Sequence, residues 1–434
     1  MSVGADSVTD MRILHTSDWH IGRTFHGHST DQHLELVLAA LAESVRELAV
    51  DVVVVAGDVF DHSAPKADAF ALLNRAVGRL REAGAVVVLT SGNHDGPARL
   101  GHLAEFAARG GVHVRTSLAS LAEPVMIDAA GADGATDGDA GPVAFYGLPY
   151  LHPALLAAEH PEFTGTTHAE ALDFAMGLVR ADHELRGGRW VVAAHCFAQN
   201  LAADEDAGRD ARTSDAAEPV RETREDGGLT EERDITRGGL DLVPVSVFDG
   251  PDYVALGHIH GRTTFSPRVR YSGAPLRFSF GERDKPRGAW LVELGEPGGG
   301  DDGRAALTVE WLDLPVPREV ARLRGTLAEL LAPGAHEDAR DAWVEVVLTD
   351  DVLPHEAMRS LRERYPYAVT LAHRPTHASR PEARSYAERV RGRSETELVE
   401  EFLAFVRGGA GSSAAEREVL AEAIALRDAT EAAR

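Results

Sequence analysis

Buried-strand patterning recurs five times along the chain, and each time it ends in a polar residue. Val52 to Val55, four consecutive β-branched residues, run through Ala56 and Gly57 into Asp58, which predicts a strand buried on both faces that stops at a tight turn. Met11 to Leu14 leads in the same way to Asp18-Trp19-His20, and Ala85 to Leu89 leads to Gly92-Asn93-His94-Asp95. Trp190 to Ala194 ends at His195, and Tyr253 to Leu256 ends at Gly257-His258-Ile259-His260. Between the first three runs the period changes to that of a helix. Leu34, Leu38, Leu41, Val45 and Leu48 share one face over Thr30 to Ala49, and Phe70, Leu73, Val77 and Leu80 share one over Ala67 to Ala83. Strand alternating with helix predicts right-handed parallel crossovers, which carry the strand ends to one sheet edge. That edge is where open α/β sheets hold ligands.

Farther along, Ala129 to Gly141 reads as a loop and His168 to Leu185 as a helix. Residues 202–232 are polar and acidic, too poor in apolar groups to offset the entropy of ordering, and are expected to form a mobile insertion. Arg270 to Phe280 and Gly288 to Leu294 are expected to be closing strands, followed by a Gly-rich linker at Gly295 to Gly303. Beyond it, a strand at Leu307, Val309 and Trp311, a helix over Val316 to Leu331, a strand at Trp343 to Leu348, a helix over Pro354 to Arg364 and a strand at Tyr367 to Ala372 predict a compact α+β unit without a ligand cluster. After a connector at Arg374 to Arg384, Ser394 with Glu397 forms a capping box ahead of Leu398, Phe402 and Phe405. Gly408 to Ser413 interrupts that helix, and a second carries Val419, Leu420, Ala423 and Ile424 on one side. The expected division is an N-terminal extension at 1–10, a main domain at 11–295, an α+β domain at 304–375 and a helical docking region at 385–434.

With 434 residues and 44% hydrophobic content, two or more domains with a sizeable core are expected. The opening residues lack the pattern of a signal peptide and no apolar run approaches a membrane span, so a cytoplasmic protein with no membrane partner is expected. Cys196 is the only cysteine, which excludes an internal disulfide and fits a reducing compartment. Its place beside His195 invites a nucleophile reading, but a small buried thiol at a strand end is the expectation. The formal charge of −25 argues against a stand-alone DNA binder. It leaves a metal-dependent nuclease open, because bound divalent cations reverse the local sign at a carboxylate-rich site.

Asp, Asn and His without Cys make a nitrogen and oxygen donor set suited to Mn²⁺, Fe²⁺ or Zn²⁺. Asp18, His20, Asp58, Asn93, His195, His258 and His260 are too many for one ion and enough for two, with Asp58 on the central strand the best bridge. Two ions about 3.5–4 Å apart hold a phosphate, acidify a bound water and steady the attacking and leaving oxygens, so the expected reaction is phosphoester hydrolysis.

As a set these motifs resemble those of the calcineurin-like metallophosphoesterases. The flanking words narrow the resemblance: His15-Thr16-Ser17-Asp18-Trp19-His20, His195-Cys196-Phe197, Glu232-Arg233-Asp234-Ile235, and Tyr271-Ser272-Gly273-Ala274-Pro275 running to Ser279-Phe280 are similar to those of the SbcD nuclease subunits of bacterial SbcCD complexes. The resemblance implies a two-sheet α/β metallophosphoesterase sandwich flanked by helices, a small α+β cap and a C-terminal helical hairpin. It further implies that Asp18, His20, Asp58 and His260 bind one metal and Asp58, Asn93, His195 and His258 the other, with Mn²⁺ as the expected ion. His94 would face the scissile phosphate and protonate the leaving oxygen, oriented by Asp95. Arg23, Lys66 and Arg99 are candidates for phosphate contacts or for solvated charge. The implied activity is cleavage of duplex ends and of single strands or hairpins in DNA repair, recombination and replication, with an SbcC-type ATPase as partner and a homodimer of the nuclease subunit. A stand-alone phosphatase or cyclic-nucleotide phosphodiesterase shares the metal motifs, and a non-catalytic scaffold is a third reading.

Overall fold

The computed structural model describes residues 10–128, 141–200, 242–376, 394–407 and 411–432. The expectations for the extension before Asp10, for the 129–140 part of the Gly-rich loop, for the acidic insertion, for the word at 232–235 and for most of the connector lie outside these residues. The chain divides into two units, Met1–Pro317 and Arg318–Arg434.

In the first unit the chain lays down four strands of one sheet: β1 (Met11–Thr16), β2 (Val52–Ala56), β3 (Val86–Thr90) and β4 (Val112–Arg115). Six strands of a second sheet follow: β5 (Val125–Ile127), β6 (Val143–Leu148), β7 (Arg189–His195), β8 (Tyr253–Gly257), β9 (Thr263–Thr264) and β10 (Val269–Tyr271). The chain then returns to the first sheet with β11 (Gly288–Leu294) and β12 (Leu307–Asp313). The sheet orders are β12-β11-β1-β2-β3-β4 and β9-β10-β8-β7-β6-β5. Strands β1 to β4 are parallel, as are β6, β7, β8 and β10, so all their carboxyl ends lie along one edge of each sheet. This is a mixed α/β sandwich of two six-stranded sheets.

Alternate residues of the buried strands serve two cores, as the period of a strand requires. Ile13, Val52, Val54 and Val88 of the first sheet meet Phe145, Val191, Ala193, Tyr253 and Ala255 of the second between the sheets. Leu14, Val53, Val55, Val87 and Leu89 point outward onto helices α1 (Asp31–Glu47) and α2 (Ala67–Glu82). Helix α3 (His168–Arg186) covers the outer face of the second sheet with Leu172, Ala175, Met176 and Val179. Helix α2 is rotated from the expected face. Ala69, Leu72, Ala76 and Leu80 are buried, while Phe70, Leu73 and Val77 flank the contact, because small alanines let the helix axis close on the sheet.

Three other expectations are corrected. The strand at Leu307–Asp313, assigned to the α+β domain from its alternation, pairs along its whole length with β11, and Trp311 packs edge-on to Trp290 with centroids 4.8 Å apart. Of the span Arg270 to Phe280 only Arg270 and Tyr271 lie on a strand, β10, which is next to the edge of the second sheet. The helix expected over Val316 to Leu331 is instead β13 (Val320–Gly325) and a short helix at Leu327–Leu330. Parallel pairing of β13 with β14 (Trp343–Leu348) supplies partners that helical periodicity cannot reveal. With β15 (Ala368–His373) these form the three-stranded sheet of the second unit, and α4 (Ala357–Arg364) buries Ala357 and Leu361 in its core. Two more helices, α5 (Glu395–Val406) and α6 (Ala414–Ala432), are joined at their near ends by Arg407–Glu416 and Ser412–Glu400 contacts. Among the described residues no helix is long and apolar enough to cross a membrane.

Candidate metal centre

The five polar strand ends converge. Asp18 and His20 follow β1, Asp58 follows β2, Asn93 and His94 follow β3, His195 ends β7, and His258 and His260 follow β8. Glycines permit the approach of the two sheets. A Cβ on Gly257 would sit 1.8 Å from the Ala56 carbonyl oxygen, and one on Gly57, which has φ +80°, would sit 2.4 Å from His195 Nδ1. The turns are strained as well as tight: Asp18, His20, Asp58 and His258 have φ of 54°, 45°, 49° and 114°, a region non-glycine residues avoid except where function holds them there.

Donor atoms crowd around Asp58. Its Oδ2 lies 3.3 Å from His195 Nε2 and 3.6 Å from His20 Nε2. On one side Asn93 Oδ1 lies 3.1 Å from His195 Nε2 and 3.0 Å from His258 Nδ1, and those two nitrogens are 3.3 Å apart. On the other side His20 Nε2 and His260 Nε2 are 3.1 Å apart, and Asp18 closes a group with them whose ligand atoms lie within 4.8 Å of one another.

Hydrogen bonds behind the histidines decide what faces inward. The partner of His195 Nδ1 is the Ala56 carbonyl at 2.9 Å, which only accepts, so Nδ1 carries a proton and Nε2 turns a lone pair toward Asp58 and Asn93. His260 Nδ1 donates to Glu282 Oε1 at 3.0 Å, which leaves its Nε2 lone pair against that of His20, whose Nδ1 lies 3.3 Å from Asp61 Oδ1. Acceptors facing acceptors at these distances repel one another unless a cation lies among them. Separations of about 3.0–3.4 Å are those of ligands on one ion with bonds of about 2.1 Å. The donor set therefore fits two divalent ions that share Asp58.

The electrostatics carry the same mark. Burial alone would raise the Asp58 carboxyl, but His195 and His20 hold it well below the ordinary range. Burial would lower His195, yet the Asp58 charge pulls it up to about 9: a proton is drawn to the place where a metal ion would sit. His258 is pushed down to about 3 by burial and by His195.

His94 belongs to this cluster but differs from the other histidines. It is near enough to His20 and Asp58 to count as a possible ligand, yet its Nδ1 is committed to the Asp61 carbonyl at 3.0 Å. Asp95 does not orient it. The Asp95 carboxylate accepts from the backbone N–H groups of Val59, Phe60 and Gly92 at 3.0, 2.8 and 2.9 Å, and so ties the Asp58 turn to the Asn93 turn. Burial and the Asp58 charge raise its carboxyl to about 6. Arg23, a candidate for phosphate contact, is instead bonded to Asp61 at 3.1 Å and lies over the Phe278 ring. Arg99 donates to the Ser63 carbonyl at 2.7 Å, and Lys66 is exposed at the start of α2. Cys196 is buried and its thiol is pushed above the ordinary range, which makes it inert.

Sequence reasoning missed the residues behind the ligand-like side chains. Glu282 is 3% exposed, reaches His260 from the end of a short 3₁₀ turn (Phe280–Glu282), and pairs with Arg287 at 2.8 Å. Phe278 packs against both His20 and His260, with centroids 5.4 and 5.6 Å away. Tyr150, beyond the carboxyl end of β6, lies 6.4 Å from His195 by ring centroids. Only Asp61 had a signal, its place in the Asp58 motif.

Comparison with known proteins divides the chain in the same region as its architecture. Residues 11–127 match the family model for calcineurin-like phosphoesterases, a span that contains Asp18, His20, Asp58, Asn93, His94 and Asp95. Residues 316–407 match the SbcD_C model, described as the type 5 capsule protein repressor C-terminal domain. Among solved structures, TT1561 of Thermus thermophilus is 13% identical over 70% of this chain and 99% of that one, with a TM-score of 0.36. A β-glucosidase from Exiguobacterium marinum is 12% identical over 85% of this chain and 90% of that one, with a TM-score of 0.21. Neither likeness is close enough to carry an argument.

Proposed function

The chain is an SbcD-type member of the calcineurin-like metallophosphoesterases, and from that premise we propose that it is a Mn²⁺-dependent DNA nuclease working with an SbcC-type ATPase in DNA repair, recombination and replication. Its activities are exonuclease on duplex ends and endonuclease on single strands and hairpins. The observation that carries this reading is the ring of inward-facing lone pairs around Asp58 Oδ2, in a chain that also has the SbcD-type C-terminal domain.

Asp18, His20, Asp58 and His260 hold one ion and Asp58, Asn93, His195 and His258 the other. When bound, such a pair neutralises the phosphodiester and makes a nucleophile available at neutral pH. The rest falls to side chains. Asp58, with His94 N–H on its Oδ1 at 2.9 Å, is held with Oδ2 facing both halves of the site. His94 is half-buried, with its Nδ1 fixed by the Asp61 carbonyl, and its role is to hand a proton to the departing sugar oxygen. Asp95 keeps the two turns in register so that His94 and Asp58 stay adjacent.

A net charge of −25 gives little attraction for duplex DNA, so productive binding needs surface from a partner. Exposed Phe402, Val406, Val419 and Leu426 on α5 and α6 support docking of the ATPase there, since an amphipathic helix uses such anchors in a partner's groove. A homodimer acting in the cytoplasm completes the proposal. The test is to incubate the purified protein with Mn²⁺ and compare end-labelled DNA with a small aryl phosphodiester. Metal-dependent cleavage of DNA is expected. Cleavage of the small ester alone would instead indicate a stand-alone phosphodiesterase.

A further inference from the structure

The two halves of the cluster differ in what stands behind their histidines. On the Asp18 half, His260 Nδ1 donates to the Glu282 carboxylate at 3.0 Å and His20 Nδ1 faces the Asp61 carboxylate at 3.3 Å. On the Asn93 half, His195 Nδ1 donates to the uncharged Ala56 carbonyl at 2.9 Å. The inward groups differ in the same sense: beyond the shared Asp58, one half has the Asp18 carboxylate and the other the Asn93 amide.

We infer that the two ions bind with unequal affinity, the Asp18–His20–His260 half loading first, and that Glu282 and Asp61 are the positioning residues that set this order. The inference rests on the reading of the cluster as a two-ion centre. A carboxylate behind an imidazole fixes its tautomer and raises its basicity as a ligand, and loss of such a partner costs about 10–100-fold in metal affinity. A carbonyl fixes the tautomer but adds no charge. Arg287 and Arg23 pair with Glu282 and Asp61 at 2.8 and 3.1 Å and fix where those carboxylates stand behind the rings. Arg287 also donates to the backbone carbonyls of His260 at 2.7 Å and Ala274 at 3.0 Å, so one guanidinium holds both the ligand's main chain and the carboxylate behind its ring.

The test is a Mn²⁺ titration of the metal-free full chain, with free ion counted from its paramagnetic resonance signal. Two steps separated by at least about tenfold are expected. Glu282→Gln, which keeps the shape and removes the charge, should weaken the tight step by about 10–100-fold and leave the weak step within about twofold. Asp61→Asn should act in the same direction, and Asn93→Ala should weaken only the second step. Melting of the metal-free Glu282→Gln protein checks its fold, and if that variant does not fold, Asp61→Asn decides the matter. Absence of any Mn²⁺ binding would overturn the two-ion reading itself. Two ions binding with equal affinity, or both steps weakening alike in Glu282→Gln or Asp61→Asn, would leave that reading standing and overturn the inferred order.

Discussion

The two ends of the sandwich both bury polar side chains, but they treat them in opposite ways. At the amino ends of the parallel strands, Arg189 donates to the carbonyls of Leu294, Gly295 and Gly141 at 3.1, 3.2 and 2.7 Å. Nearby Asp252 accepts from the backbone N–H groups of Trp190 at 2.9 Å and Ala305 at 2.8 Å, and Arg268 pairs with Asp302 at 2.8 Å. In each of these contacts a donor meets an acceptor. At the carboxyl ends the inward nitrogens of His20 and His260 face each other and that of His195 faces the Asp58 carboxylate, beside turns held at positive φ at Asp18, His20, Asp58 and His258. One end sets donors against acceptors and fastens the two sheets. The other sets acceptors against acceptors, an arrangement that a cation would complete. Burial alone therefore does not separate a structural polar cluster from a functional one; the match of donors to acceptors does.

The largest effect that sharpens this contrast is expected from Asp58→Ala. Without the shared oxygen, both ion positions lose a ligand, and activity should fall by about a thousandfold or more, some 4 kcal/mol of transition-state free energy. Mn²⁺ should raise the melting temperature of the wild type, since an ion that binds only the folded state stabilises it, by about 2.7 kcal/mol at a hundred times its dissociation constant. In Asp58→Ala that rise should vanish. If Mn²⁺ stabilises the variant as much as the wild type, Asp58 is not the shared ligand. His94→Gln should separate the two roles: cleavage falls by about 10²–10⁴-fold while the Mn²⁺-induced rise is kept. Loss of the rise in that variant would place His94 among the ligands.

The opposite end should respond in the opposite way. Arg189→Met keeps the aliphatic bulk and leaves three carbonyls without their shared donor, at a cost of about 3 kcal/mol of folding stability. The Mn²⁺-induced rise should be intact, because nothing at the metal end has changed. A variant that melts normally but no longer responds to Mn²⁺ would show that the two ends are not independent.

How much of this was legible in the sequence follows from the same physics. Asp18, Asp58, Asn93, His195, His258 and His260 stood out because each ends a buried β-branched or apolar run, and parallel pairing in register carries such ends to one edge. Glu282 was invisible. It lies 22 positions from His260 on a three-residue 3₁₀ turn, too short to leave a period in the sequence, and only the folded chain brings it beneath the imidazole. The role of Asp95 was misread for a related reason, since adjacency to His94 in sequence does not say that its carboxylate turns back onto three backbone amides. Elements were missed where pairing overrides pattern. Val320, Leu323, Leu327 and Leu330 recur at near-helical intervals, yet the first two lie on a strand whose partner begins at Trp343. The alternation of Leu307, Val309 and Trp311 announced a half-buried strand without saying which sheet would receive it.

The smallest expected effect comes from a polar cluster that sets donors against acceptors, like the Arg189 end, but is open to water. Thr167 caps α3: its Oγ1 accepts from the Glu170 N–H at 3.2 Å, and the Glu170 carboxylate accepts in return from Thr166 N at 2.8 Å and Thr167 N at 3.0 Å. Thr167→Ala removes one half of this exchange. The freed Glu170 N–H faces solvent, so water replaces most of what is lost, and the expected cost is about 1 kcal/mol, below that of Arg189→Met although both changes break hydrogen bonds to the backbone. Thr167→Ser should restore the loss because serine offers the same acceptor. Activity and the Mn²⁺-induced rise should not move in either variant. Thermal melting of the metal-free proteins compares the three variants directly. A Thr167→Ala loss equal to that of Arg189→Met would mean that solvent access does not set the scale, and the contrast between the two ends would then have to rest on donor matching alone.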